Sequence, residues 1–190
     1  MRRPAVFFDR DGVVNASPGA GYVLDWSQFS LSPGIIDALR LCRQRGYATV
    51  VVTSQQGVGK GLMSQADLDD IHSRLQHELG RHGASFDAIL ACTSLADDPA
   101  CTCRKPSPGM IFTARDQLDL DLSRSWLVGD HDRDIQMAVN AGVPHTIRIL
   151  NDGRPVNVPA TITLGCIEDL AQTLETMLDQ PRGIIQSEPG

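Results

Sequence analysis

The stretch FFDRDGVVN, Phe7 to Asn15, closes an apolar run with two aspartates, Asp9 and Asp11, and a glycine follows at once. In an extended strand, residues two apart point to the same side, so both carboxylates can project from one strand end. Two carboxylates held that close repel each other unless a cation lies between them or one carries a proton. Such a pair suits metal binding, acid–base transfer or nucleophilic attack. A solvated turn at Asp11-Gly12 accounts for the same spacing, and the pair alone does not choose between the two.

Three other segments carry related chemistry. GDHDRD supplies Asp130, Asp132 and Asp134 just before a helix. Helix capping would explain one or two of these, but less well Asp130, which ends the preceding strand. TSQQGVGKG places two hydroxyls, Thr53 and Ser54, at a strand's carboxyl end, where open α/β sheets bind ligands. Its Gly57, Gly59 and Lys60 do not fit the spacing of a nucleotide-binding P-loop. CRKPSPG offers Arg104 and Lys105 ahead of another helix, which as an isolated pair reads as solvated. Taken together, Asp9, Asp11 and Asp130 could hold a hard cation such as magnesium, with waters and phosphate oxygens completing its shell. Lys105 and the Thr53 hydroxyl would then meet the remaining phosphate oxygens.

DRDGVVN, VVVTSQQG, CRKPSPGM and VGDHDRDIQMA resemble, in order, the four motifs of the haloacid dehalogenase superfamily. The branch they resemble comprises small bacterial phosphatases that hydrolyse D-glycero-D-manno-heptose 1,7-bisphosphate, with the histidinol-phosphate phosphatases as its sister. The similarity runs from about Phe7 to Val143. It implies that Asp9 attacks phosphorus to form an aspartyl-phosphate, and that Asp11 gives and then takes the proton. It implies that Thr53 and Lys105 bind the transferring phosphoryl group, with Ser54 beside them. Magnesium would be held by Asp9, Asp130 and the backbone carbonyl of Asp11, with Asp134 in support. Arg104 would reach the sugar or a second phosphate. The implied reaction removes the C7 phosphate, a step of carbohydrate metabolism towards activated heptose for lipopolysaccharide. Histidinol phosphate or another small phosphomonoester remains the alternative, as does a non-catalytic binding module on the same fold.

Three positions depart from the family pattern. Ser54 stands where asparagine is usual, and His131 where a lysine often follows the fourth-motif aspartate. If His131 contacts phosphate, binding becomes pH-sensitive near neutrality. The branch also carries a zinc loop of the form C-x-H then C-x-C. Cys92, Cys101 and Cys103 match it, but Ser94 replaces the histidine. Zinc completed by Asp97, Asp98 or water, and a metal-free loop with three reduced thiols, are both open.

The elements that must position these residues alternate. Short β-rich runs lie at 5–8, 48–53, 86–91, 125–129 and 145–150, with amphipathic helices between them. One helix is expected after Ser32 and Pro33, ending at Gly46. A second starts near Ser64, a third opens at Ser107-Pro108, a fourth spans Asp132 to Ala141, and a last covers Ile167 to Leu178. The expected fold is α/β: a Rossmann-like parallel sheet with helices on both faces, forming a single, essentially capless domain over 1–180. Residues 181–190 are expected to be a disordered tail. Without a cap, selectivity falls to the loops Asn15–Leu31 and Cys92–Ser107. His72, His77 and His82 read as a solvated face, Trp26 and Trp126 as packing residues, and Cys42 and Cys166 as small hydrophobes.

The 190 residues are 42% hydrophobic and 21% charged, an ordinary globular balance. A net charge of −6 argues against a nucleic-acid partner and leaves room for a local basic pocket serving a small sugar phosphate. No segment has the length of a membrane span, and the AVFF run is too short for a secretory signal. With five cysteines, an odd number, a disulfide framework is not expected. The sequence therefore reads as cytoplasmic, and a monomer is expected.

Overall fold

The computed structural model describes residues 2–151, 153 and 155–178; the expected tail at 181–190 lies outside them. Six strands form one sheet: β1 (Ala5–Phe8), β2 (Ala48–Ser54), β3 (Ala88–Cys92), β4 (Trp126–Gly129), β5 (His145–Ile149) and β6 (Ile162–Leu164). Their order is β3-β2-β1-β4-β5-β6, and every pairing is parallel. The chain runs outward from β1 on one side and from β4 on the other. The order therefore reverses between these two strands, and a crevice opens beyond their carboxyl ends.

Side-chain alternation explains why β1 can be apolar throughout. Val6 and Phe8 face one core with Val51, Val128 and Ile147, while Ala5 and Phe7 face the other with Val50, Val52 and Leu127. A strand covered on both faces reads as a continuous apolar run. Helices α1 (Ile35–Gln44) and α6 (Leu170–Met177) pack on the first face, together with Leu75 and Leu79 of α3 (Gln65–Arg81). Helices α4 (Gly109–Leu118) and α5 (Asp132–Ala141) cover the second. Phe7 and Phe8 are fully buried, each worth roughly 2–3 kcal/mol by transfer.

The expected elements differ from the observed ones where turn chemistry decides. Helix α1 is capped by Gly34, not Ser32, because the backbone there turns left-handed at φ 75°. The third helix begins at Gly109, and the Ser107 hydroxyl instead bonds the Thr102 carbonyl. The last helix opens as a 3-10 turn, Ile167–Asp169, before α6. Strand β6 was not expected; at three residues and half exposed, it lacks the apolar density that marks a buried strand. A short helix, α2 (Gln56–Gly59), follows β2. Helix α3 starts as anticipated, with Ser64 and Asp67 forming a reciprocal capping box.

The loop from Asn15 to Leu31 is anchored. Its ends pair across an Asn15–Leu31 bridge, and Trp26 stacks on Phe29 at 5.0 Å. Those rings pack with Val23 against Met63, Leu68 and Ile71. His72 is a correction: it is largely buried rather than solvated, and its Nε2 lacks a hydrogen-bond partner among the described residues. Cys166 is another, for it is exposed, with its sulfur donating to Asp169 Oδ2 at 3.2 Å.

Candidate active site

Asp9 leaves β1 with its amide bonded to the Val128 carbonyl of β4 at 2.9 Å, which fixes it over the crevice. The chain then turns tightly: the Arg10 carbonyl accepts from the amides of Val13, Val14 and Asn15. Gly12 sits at φ 94°, and a Cβ there would lie 2.4 Å from Asp130 Oδ2. Both facts require glycine, and together they press the turn against the end of β4.

The turn sends the two aspartates to different neighbours. Asp9 meets the Lys105 ammonium at 2.5 Å. The same ammonium lies 2.7 Å from Asp134, and all three side chains are nearly inaccessible. Asp11 accepts from Arg10 Nε at 3.1 Å and Nη2 at 2.9 Å, from Asn15 Nδ2 at 3.1 Å and from Gln55 Nε2 at 2.8 Å. Gln55 Nε2 also donates to the Thr53 hydroxyl at 2.8 Å, joining the ends of β1 and β2.

At the end of β4, His131 caps α5: its Nδ1 accepts from the Arg133 amide at 3.3 Å, while Asp134 Oδ2 accepts from the His131 amide at 3.0 Å. A Cβ on Gly129 would come within 2.4 Å of the Asp134 Cβ, so a side chain there would push α5 off the sheet. Asp132 turns outward to Arg148, at 2.7 Å, and to Asn157. Asn151 Nδ2 donates to the Gly12 carbonyl at 2.6 Å and reaches Asp130 Oδ2 at 3.3 Å.

Carboxylate oxygens of Asp9, Asp130 and Asp134 lie within 4.8 Å of one another. Burial pushes Asp9 up to about 7; Lys105 works against that, and the neighbouring acids add to it. Burial also opposes the Lys105 charge, but Asp134 and Asp9 outweigh it and hold the ammonium above its ordinary range. Asp134 is likewise held below its usual value, because Lys105 overcomes the cost of its burial. Three acids around one lysine leave an excess of negative charge in a dry site, which fits a hard divalent cation with oxygen ligands.

The expected site residues thus fall into groups. Asp9, Lys105, Asp130 and Asp134 converge, while Thr53 is linked through Gln55 to Asp11. The Asp11 carboxylate belongs to the Arg10 cluster rather than to the acidic trio. Ser54 Oγ is buried, lacks a partner among the described residues, and lines the same crevice. Arg104 stands further out; Gln56, oriented so that its amide oxygen faces the guanidinium, accepts from Nη2 at 3.1 Å. Arg10, Gln55, Asn151 and Arg133 were not anticipated. Arg10 lies in plain view between the two aspartates, but alternation assigns it to the opposite side; the turn, not the strand, carries its side chain back to Asp11.

The cysteine loop is a further correction. Cys92 and Cys103 form a disulfide, their Cα atoms 5.5 Å apart and so within bonding reach. The expectation of three reduced thiols therefore does not hold for this pair. Cys101 Sγ lies 3.5 Å from each of the two sulfurs. The Ser94 hydroxyl, at the position of the missing histidine, bonds Cys101 and draws its thiol below the ordinary value.

Comparison with known proteins adds three findings. A family model described as HAD-hydrolase-like matches residues 102–151. Proteins named D-glycero-beta-D-manno-heptose-1,7-bisphosphate 7-phosphatase are similar over nearly the whole chain. The one from Vibrio cholerae is 35% identical, covering 92% of this chain and 97% of its own, and that of Escherichia coli K12 is 34% identical, covering 90% and 94%. The crystal structure of D,D-heptose 1,7-bisphosphate phosphatase from B. bronchiseptica, complexed with magnesium and phosphate, superposes with a TM-score of 0.80 at 31% identity. It covers 91% of this chain and 98% of that one.

Proposed function

The chain belongs to the D-glycero-beta-D-manno-heptose-1,7-bisphosphate 7-phosphatases, within the HAD-like hydrolases, and from that premise we infer that it removes the C7 phosphate of the heptose bisphosphate in a magnesium-dependent hydrolysis. The product would feed the supply of activated heptose for lipopolysaccharide. The observation that carries this reading is the convergence of buried Asp9, Lys105 and Asp134 with half-buried Asp130 at the crevice between β1 and β4.

Asp9 is placed to attack phosphorus with a carboxylate oxygen, breaking the bond to the sugar's C7 oxygen and forming an aspartyl-phosphate. Asp11 would deliver a proton to the departing sugar oxygen and then take one from the water that cleaves the intermediate. Arg10, Asn15 and Gln55 hold its carboxylate until a substrate offers a better partner. Lys105 would move its charge from Asp9 to the phosphoryl oxygens, with Thr53 and Ser54 supplying hydroxyls, and Asp134 would keep the lysine in position. Asp9, Asp130 and the Asp11 carbonyl would hold magnesium, which when bound neutralises charge on the phosphoryl oxygens.

The test is phosphate release, with magnesium, from heptose 1,7-bisphosphate and from histidinol phosphate, with Asp9→Asn as the blank. The expected result is a strong preference for the bisphosphate and loss of at least a thousandfold in the variant. Release that survives Asp9→Asn, or preference for histidinol phosphate, would overturn the assignment.

Zinc belongs to the same loop in its reduced form. Three converging sulfurs with Ser94 beside them support a zinc site that exists only when the Cys92–Cys103 bond is open. Zinc measured with a colorimetric chelator should be absent from the oxidised protein, near one equivalent in the reduced protein, and lost in Cys101→Ser.

A further inference from the structure

The crevice has two compartments, and they differ in charge. The larger, about 430 Å³, is bordered by Asp11, Asp130, Ser54 and Tyr22. The smaller, about 180 Å³, shares Ser54 and Tyr22 with it but is bordered by Arg104 and by no carboxylate. Arg133 lines both.

Arg133 is costly where it stands. It occupies the first turn of α5, where the helix dipole disfavours a cation. The acids on either side pair directly with other cations, Asp132 with Arg148 and Asp134 with Lys105, and Arg133 acts on Asp134 only through its charge at longer range. Among the described residues Arg133 makes no ion pair, and its side chain is exposed to the crevice. Arg104 across the smaller compartment is itself steered by Gln56. Two guanidiniums facing one small space without a carboxylate repel each other unless an anion lies between them, and a phosphate accepts from both at once.

We propose that Arg133 is a specificity-determining residue that, with Arg104, holds the distal phosphate of a bisphosphate substrate in the smaller compartment while the other phosphate reacts beside Asp9. This rests on the reading of the site as a sugar-bisphosphate phosphatase. It also accounts for how an uncapped crevice can favour a doubly phosphorylated sugar: the second phosphate, not a closing domain, fixes the substrate's direction. The Ser54 hydroxyl, without a partner among the described residues, lies at the junction of the compartments, where the sugar would cross.

The experiment compares kcat/KM for heptose 1,7-bisphosphate with that for heptose 7-phosphate, which lacks the distal group, in the unaltered protein, Arg133→Gln and Arg133→Lys. The expected ratio of the two substrates falls at least tenfold in Arg133→Gln, mainly through KM for the bisphosphate, and recovers in part in Arg133→Lys. A ratio unchanged in Arg133→Gln, with the unaltered protein active, overturns the role of Arg133 alone. An unaltered protein inactive on both sugars overturns the substrate reading, and this inference with it.

Discussion

Single residues show how burial sets chemistry. His72 is pushed down to about 4, first by its burial and then by the Arg10 guanidinium, from an ordinary 6.5. A histidine whose folded value is depressed contributes stability that is fully present above 6.5 and is lost as the pH falls towards 4, because the unfolded chain binds the proton more readily. At about 1.4 kcal/mol per unit, the loss by the lower end is roughly 2–3 kcal/mol. Urea unfolding at pH 7 and pH 4.5 should show this loss in the natural chain and a smaller one in His72→Leu. Helical spacing assigned His72 to a solvent face with His77 and His82, and His77 and His82 are indeed exposed. What no spacing contained was the nearby β1 turn, which brings Arg10 against His72. The same turn hid the Arg10–Asp11 pairing. The convergence of Asp9, Lys105 and Asp130 was legible because two of them end strands, one precedes a helix, and all fall in motifs that agree.

Elements explain why these residues meet at all. Helix α5 touches the end of β4 so closely that Gly129 leaves no room for a methyl group. Gly129→Ala should therefore cost about 1–3 kcal/mol in unfolding measurements. It should also lower kcat well over tenfold, since Asp134 can no longer steady Lys105; an alanine variant with full activity would contradict this contact. Five of the six strands and the start of α3 could be read from apolar runs and capping residues. Helix α1 was misplaced at its start because Gly34, not the hydroxyl before it, satisfies the left-handed turn. Strand β6 escaped because it borrows its stability from pairing with β5, which leaves little trace in three half-exposed residues. The loop after β3 was legible as a cysteine cluster, but the choice between thiols and a disulfide depends on sulfur separations that sequence does not contain.

At the scale of the molecule, β1 comes first in the chain and lies in the middle of the sheet. That placement has a consequence during synthesis. At roughly 5–20 residues per second, the chain takes on the order of ten seconds to extend from Asp9 to Asp130. Until then the β1 edge that β4 covers is unpaired, and the aspartates lack Asp130 beside them. The nascent strand is nevertheless only four residues long, flanked by Arg2 and Arg3 before it and by Asp9, Arg10 and Asp11 after it. Charges bracketing a short apolar strand discourage it from pairing with other chains. The charges that border the crevice in the finished fold thus first serve to keep the newborn chain from sticking to its neighbours.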